Sequence, residues 1–350
     1  MGTMSMNLQT FKAPTMAEAL GQVKTVMGQD AVILQIRALL ERLGGNVRLH
    51  LVGHSTGGID AYLLTCERQL SGAPWTPEQD DVRHRIASVT TVASPFRGTW
   101  LSAGAAAKFA LDPRHHASGV VTALRLMGEL ASLHVSKELA ASALANAIVA
   151  LPDAARLCWH LLRNRQLIGD LVPGEMERLL CENPRDLDVP ITNFVTVVPE
   201  GVLQHASPFF ADLYAMTSGS SAAPASGAVR AATALLNACA SETIRPPGSA
   251  PPVFDHRVSD GVVNSARQVL DPDDRAMLGG ILLADHLDVL GYYDNVDALV
   301  SGRPLNDSVF RSGAGFCDDQ FFLLYGRVAS RIKEAMNERR TPRKALRNVP

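Results

Sequence analysis

The sequence predicts an α/β protein built on an open, mainly parallel sheet that carries a helical insertion. Three observations lead there. Apolar segments of strand length alternate with stretches of helical periodicity. One strand runs directly into a glycine-rich turn and then a helix, and a long Ala/Leu-rich stretch without strand alternation separates the second strand from the third. With 350 residues, 47% of them hydrophobic and 19% charged, the chain can bury a sizeable core and suits one large domain or one domain with an inserted subdomain.

Taken in order, residues 15–43 read as a helix, with Ala17, Leu20, Val23, Val26 and Met27 and then Ile33, Ile36, Leu39, Leu40 and Leu43 at spacings of three and four. Gly44 and Gly45 stop it. Residues 47–53 (VRLHLVG) read as a buried strand, and helical periodicity resumes over 59–70 through Ala61, Leu64 and Cys66. A polar loop containing Pro74 and Pro77 precedes the second strand, 86–94. The third strand, 191–198, follows Pro190, and a fourth apolar piece, 279–284, precedes Asp285 and His286. Residues 101–187 form the expected helical insertion. Within 213–241, rich in Ala, Ser, Gly and Thr, the first half reads as a mobile loop and 228–239 as a small-residue helix. Residues 317–336 read as a final amphipathic helix.

Charge and cysteine usage exclude several classes. Thirty-three basic residues against 35 acidic ones leave a formal charge of −2, which argues against a nucleic-acid binder. Only the tail, Arg339 to Arg347, is basic. The 5 cysteines are widely spaced with no CxxC pair, so neither a disulfide framework nor a structural zinc site is expected, and a reducing, cytoplasmic location fits. The first residues lack the charged and apolar regions of a secretory signal. The longest apolar run, 139–151, is interrupted by Ser142 and Asn146 and falls short of the roughly 20 residues of a membrane-spanning helix.

The most informative stretch is Gly53-His54-Ser55-Thr56-Gly57-Gly58, a G-x-S-x-G turn between a strand and a helix. Such a turn holds the serine in a strained conformation with Oγ projecting above the sheet, and glycines two residues before and after let the backbones approach. The helix start then directs backbone N–H groups, that of Thr56 first, toward developing negative charge. Serine needs a base, and the base needs a carboxylate to orient it. Among the 10 histidines, His54 adjoins the serine and reads as pointing elsewhere, His50 reads as packed in the strand, and His84, His115, His116, His134, His160 and His205 have nothing to single them out. His256 and His286 remain, and His286 follows a strand-like stretch where a loop at the carboxyl edge of the sheet would begin. Asp260, followed by Gly261, precedes it and could alternatively close an Asx-turn, with Asp255 and Asp285 as runner-up carboxylates.

These residues resemble a bacterial lipase/esterase family within the α/β-hydrolase fold. The resemblance rests on GHSTGG at Ser55, VASPFRGT (92–99) after the next strand, SDGVVNSARQ (259–268) and ADHLDVLGYYD (284–294), in the family's order, and covers roughly residues 47–100 and 190–300. It implies an ester hydrolase with Ser55 as nucleophile, His286 as base, Asp260 as orienting acid and the Thr56 N–H in the oxyanion hole, acting on an apolar acyl ester or lipid without a cofactor. A thioesterase or acyltransferase would use the same triad, and a non-catalytic binding protein could share the fold. The implied organisation is a core piece with the nucleophile turn (1–100), a helical cap (101–187), a core piece with the acid and histidine (188–340) and a basic tail (341–350). Family members carry strands before the nucleophile strand, including a loop that supplies a second oxyanion donor. Here mainly one helix precedes it, so a sheet lacking its first strands is expected, with an exposed edge at Val47, Leu49, Leu51 and Val52 through which copies could associate. Asp288 lies where some secreted relatives bind calcium, but no second carboxylate partner is evident in sequence and no metal is expected.

Overall fold

The computed structural model describes residues 47–69, 72–102, 170–219, 225–271, 276–291, 293 and 311–338. The expected helix at 15–43, most of the insertion at 101–187 and the tail at 341–350 lie outside the described residues. The strands are β1 (Leu49–His54), β2 (Ile86–Val92), β3 (Ile191–Val197) and β4 (Ala276–Leu283), hydrogen-bonded in the order β1-β2-β3-β4. The helices are α1 (Thr56–Leu63), α2 (Pro77–His84), α3 (Pro173–Glu182), α4 (Pro208–Gly219), α5 (Gly227–Cys239), α6 (Ser265–Gln268) and α7 (Asp318–Glu338). Among the described residues, none of these helices is long and apolar enough to cross a membrane.

Pairing is parallel from β2 to β4. Val89 lies opposite Ile191 and Val92 opposite Phe194, while β3 and β4 run in register from Ile191 and Ala276 to Val197 and Leu283, with one irregularity at Asn193/Phe194. Every residue of β2 and of β3 is buried, as parallel strands covered on both faces require. Successive side chains of a strand point to opposite faces, and the core divides accordingly. Val195, Val197 and Ile281 pack with Val229, Ala232 and Leu236 of α5 on one side. Phe194 and Leu282 pack with Phe316 and with Leu324 and Val328 of α7 on the other. The fold is therefore a helix–sheet–helix sandwich around β3 and β4.

Among the described residues the chain divides into two units, one holding residues 47–49 and 74–86 and the other the remainder. In the first, α2 occupies part of what the sequence suggests is a polar loop. Thr76 Oγ1 accepts from the Gln79 N–H, Gln79 Oε1 accepts from the Thr76 N–H, and Pro77 occupies the first turn. This capping box with an N-terminal proline was readable as a helix start. In the second unit α1 ends at Leu63 rather than near residue 70, because the Glu67 N–H donates to the Pro184 carbonyl and Cys66 bridges to Arg185.

A further correction concerns residues 213–241. Residues 213–219 are not a loop but the second half of α4, whose start is capped by Ser207 Oγ accepting from the Phe210 N–H at 3.1 Å, while residues 220–224 lie outside the described residues. Phe210, Tyr214 and Thr217, at helical spacing, are its buried side chains. The second part is α5, as the small-residue pattern suggests.

Helix α1 lies close to the sheet. A Cβ on Gly58 would stand 1.9 Å from Ser94 Oγ and 3.1 Å from Thr91 Cβ, whereas one on Gly57 would meet nothing within 4 Å. Gly58→Ala is expected to lower the unfolding free energy by roughly 1–3 kcal/mol through overpacking. Gly57→Ala should change it by no more than about 1 kcal/mol, in the stabilising direction. Denaturant titration of both variants checks this; equal effects would show that helix–sheet spacing is not limited at Gly58.

Candidate active site

The site begins where β1 gives way to α1. Ser55 is the single residue between them and has φ 55° and ψ −129°, in the region that L side chains rarely occupy. The Ser55 N–H donates to the Val92 carbonyl at 2.9 Å, and the Ser55 carbonyl accepts from the Gly58 N–H at 3.0 Å, which fixes the turn from both ends. Gly53 permits the close approach, since a Cβ there would lie 2.3 Å from the Gly57 carbonyl oxygen. The expected need for glycine at 57 itself is not met: what contacts Gly53 is the Gly57 backbone. Thr56 is the first residue of α1, so its N–H belongs to the first turn, whose amides have no intrahelical acceptor.

The other side chains come from the carboxyl ends of β3 and β4. His286 follows β4 by three residues, and its Nε2 lies 2.9 Å from Ser55 Oγ while its Nδ1 lies 2.8 Å from Asp260 Oδ2. An ionised carboxylate only accepts, so Nδ1 carries the proton and Nε2 is left to accept from the serine hydroxyl. Asp260 is 0% exposed and His286 6%.

Asp260 sits in a turn after Ser259, which bridges back to Val198 at the end of β3. Its Oδ1 accepts from the backbone N–H groups of Val262 (2.9 Å) and Val263 (2.7 Å), so it closes an Asx-type turn and faces His286 at the same time. Gly261 allows the turn its φ of 93°. The other oxygen, Oδ2, also accepts from Thr196 Oγ1 at 2.7 Å and Gln268 Nε2 at 3.0 Å. Burial pushes the Asp260 carboxyl up, but the His286 charge and the hydrogen bonds from His286, Thr196 and Val263 outweigh it and hold the group below the usual carboxylate range.

Thr196 and Gln268 are the residues that sequence reasoning misses. Gln268 Oε1 accepts from the Thr196 N–H at 2.8 Å, which turns its amide nitrogen toward Asp260, the Thr196 carbonyl and the Val263 carbonyl. The one available signal was that Gln268 ends the Ser259–Gln268 segment carrying the acid. His54 also departs from expectation. Its Nε2–H donates to the His286 carbonyl at 2.8 Å, and the two rings lie 4.7 Å apart at 52°.

The remaining candidates have other contacts. Asp255 Oδ1 accepts from the N–H groups of Arg257 and Val258, His50 Nδ1 lies 2.7 Å from Ser88 Oγ, and His84 and His205 are exposed. His115, His116, His134 and His160 lie outside the described residues. Asp288 Oδ2 accepts from the Asp285 N–H at 2.7 Å, and Asp285 Oδ1 accepts from the N–H groups of Leu287 and Asp288. Among the described residues, no group of three or more His, Cys, Asp or Glu side chains is placed to hold a metal ion.

The parallel order of β2 to β4, with the turn after β1, the carboxylate after β3 and the histidine after β4, defines an α/β-hydrolase-like fold. No protein-family model matches the chain, and no curated protein matches it. Solved structures similar to it include the mature form of the Bacillus licheniformis lipase BlEst2, at 14% identity and TM-score 0.34 over 74% of this chain and 66% of that one. Others are the Staphylococcus hyicus lipase, at 13% identity and TM-score 0.38 over 84% and 72%, and EstA from Clostridium botulinum, at 18% identity and TM-score 0.36 over 75% and 64%. The chain thus spans a little under two thirds of the length of the first and third of these and somewhat more of the second.

Asp285, beside the histidine in sequence, is the carboxylate that burial pushes up to about 7 against an ordinary 3.8, partly opposed by hydrogen bonds from Leu287, Asp288 and Ser312. Between those values the folded chain holds the proton and the unfolded chain has lost it. Stability from this group is therefore complete below an ordinary carboxylate pKa and declines as pH rises through the folded value. Asp285→Asn removes the titration. Its unfolding free energy relative to wild type should improve by roughly 1–3 kcal/mol between about pH 5 and pH 8. Urea melts at the two pH values test this, and a constant difference would place the Asp285 proton elsewhere.

Proposed function

We propose that the protein is a serine-dependent carboxylic-ester hydrolase of the lipase/esterase type, acting through an acyl-enzyme. The observation that carries this reading is the unbroken hydrogen-bonded series from Ser55 Oγ through His286 Nε2 and Nδ1 to Asp260 Oδ2, at 2.9 and 2.8 Å, with Ser55 held at φ 55°. Neither half of that arrangement has a simple structural use. A strained serine costs of order 1–3 kcal/mol, and a buried carboxylate–imidazole pair must offset its own desolvation.

In this reading His286 Nε2 takes the Ser55 hydroxyl proton as Oγ attacks the acyl carbon. The carbonyl oxygen becomes the oxyanion of the tetrahedral adduct and meets the Thr56 N–H at the positive end of α1. Collapse expels the alcohol, which receives the proton from His286. Water then repeats the sequence and releases the acid, regenerating Ser55. Asp260 keeps the Nδ1–H tautomer and stabilises the imidazolium as it forms. The Ala/Leu-rich composition of residues 101–187 supports an apolar acyl group as the preferred substrate.

A fluorophosphonate probe tests the reading directly. It should form a covalent adduct on Ser55, and Ser55→Ala should lose both labelling and hydrolysis of a short p-nitrophenyl ester while its thermal unfolding stays close to that of wild type. Asp260→Asn should lower turnover by roughly 10³–10⁴-fold, because the imidazole would hold its proton on the wrong nitrogen. Wild-type turnover in the alanine variant would reject the serine mechanism. A larger loss from Asp255→Asn than from Asp260→Asn would move the acid.

A further inference from the structure

We propose that His54 is a positioning residue that ties the base-bearing loop to the serine turn through a ring N–H; this rests on the hydrolase reading above. His286 follows β4 in a loop that must hold its imidazole within reach of a hydroxyl on a different strand. Its backbone is pinned on both sides. The His286 N–H donates to the Asp260 carbonyl at 3.1 Å, and the His286 carbonyl accepts from His54 Nε2–H at 2.8 Å. The acid and the neighbour of the nucleophile thus each hold one of the two peptide groups that flank the His286 Cα. His54 is covalently joined to Ser55, so its hydrogen bond registers His286 directly against the atom that reacts.

Histidine suits this place for a reason of charge. The His54 ring lies 4.7 Å from the His286 ring, which must become an imidazolium when Ser55 attacks. A permanently charged lysine or arginine donor at that distance would oppose the new charge. Burial, and then the His286 charge, push His54 down to about 3 from 6.5, against a weaker upward pull from its hydrogen bond and from Asp260. The titratable side chains acting on it are His286 and Asp260. His54 therefore donates without competing for the proton that His286 takes up.

Four measurements on purified protein test this: active sites titrated with the fluorophosphonate, ester turnover per titrated site, its pH profile, and the unfolding temperature. His54→Phe keeps a ring against His286 but removes the donor. Turnover per titrated site should fall by about 10- to 100-fold, the scale of a misplaced catalytic group, with KM changed by less than about threefold and the acid limb of the profile unmoved. His54→Gln places an amide N–H near the position of Nε2 and should recover turnover to within about fivefold of wild type. A merely structural role would reduce the number of titratable sites and the unfolding temperature while leaving turnover per site intact, and that result overturns the proposal. So does a shift of the acid limb in His54→Phe, which would mean that His54 titrates in the working range. Absence of any Ser55-dependent labelling in wild-type protein would instead reject the hydrolase reading itself.

Discussion

A carboxylate with no exposure to water is the constraint on which the rest of the site depends. Taking Asp260 out of solvent as an anion costs several kcal/mol unless nearly every lone pair is used. The fold meets that demand with three donors on Oδ2, from His286, Thr196 and Gln268, and two on Oδ1, from Val262 and Val263. Those donors belong to β3, to the turn itself, to α6 and to the loop after β4. The carboxylate therefore ties these four elements to one another. The precise placement of the imidazole is a by-product of satisfying the charge beneath it.

The serine end is held by a different kind of force. Ser55 is strained in its backbone, and the strain persists because the strand before it and the helix after it are each fixed by close packing: Gly53 against the Gly57 backbone, Gly58 against Ser94. Close packing, with the backbone hydrogen bonds of Ser55 to Val92 and Gly58, holds the hydroxyl, while side-chain hydrogen bonding and charge hold the histidine and the aspartate. The two systems meet at the 2.9 Å contact between Ser55 Oγ and His286 Nε2, and a second time at the His54 to His286 hydrogen bond.

How much of this was legible in the sequence follows from whether each feature is local. Ser55, Asp260 and His286 each stand inside a short pattern (a glycine-flanked turn, an Asp-Gly turn, a histidine after an apolar strand), and the sheet's four strands stand out as apolar runs. Thr196 and Gln268 do not, because their bond spans 72 positions and neither residue is unusual among its neighbours. Helix α4 was hidden for a related reason. Its buried side is a phenylalanine, a tyrosine and a threonine in a helix that also carries Ala, Leu and Met, and tertiary packing makes it a face: Phe210 and Tyr214 pack with Val198, Leu283 and Ala314, Thr217 Oγ1 donates to the Gly261 carbonyl, and Phe210 fills the space where a Gly261 Cβ would stand. Helix α2 is the opposite case, since its Thr-Pro-Glu-Gln start carries its own cap and was open to local reading.

The position of Asp260 shows how such a site accommodates a long detour in the chain. After β3 the backbone leaves at Val198 and comes back at Ser259, and in between it forms α4 and α5. The departure and return are fastened to each other, the Val198 N–H donating to the Ser259 carbonyl at 2.9 Å and Ser265 Oγ donating to the Thr196 carbonyl at 2.8 Å. Closing a loop costs only about 0.6 kcal/mol more for each doubling of its length, and here α5 offsets that by burying Val229, Ala232 and Leu236 against the sheet. Asp260 is thus addressed by the end of β3 rather than by its distance along the chain. The detour is itself anchored to the sheet midway, where Ile244 exchanges backbone hydrogen bonds with Ile281 and Leu283 of β4, and α4, packed directly against the Gly261 turn, is the part of it that touches the Asp260 turn.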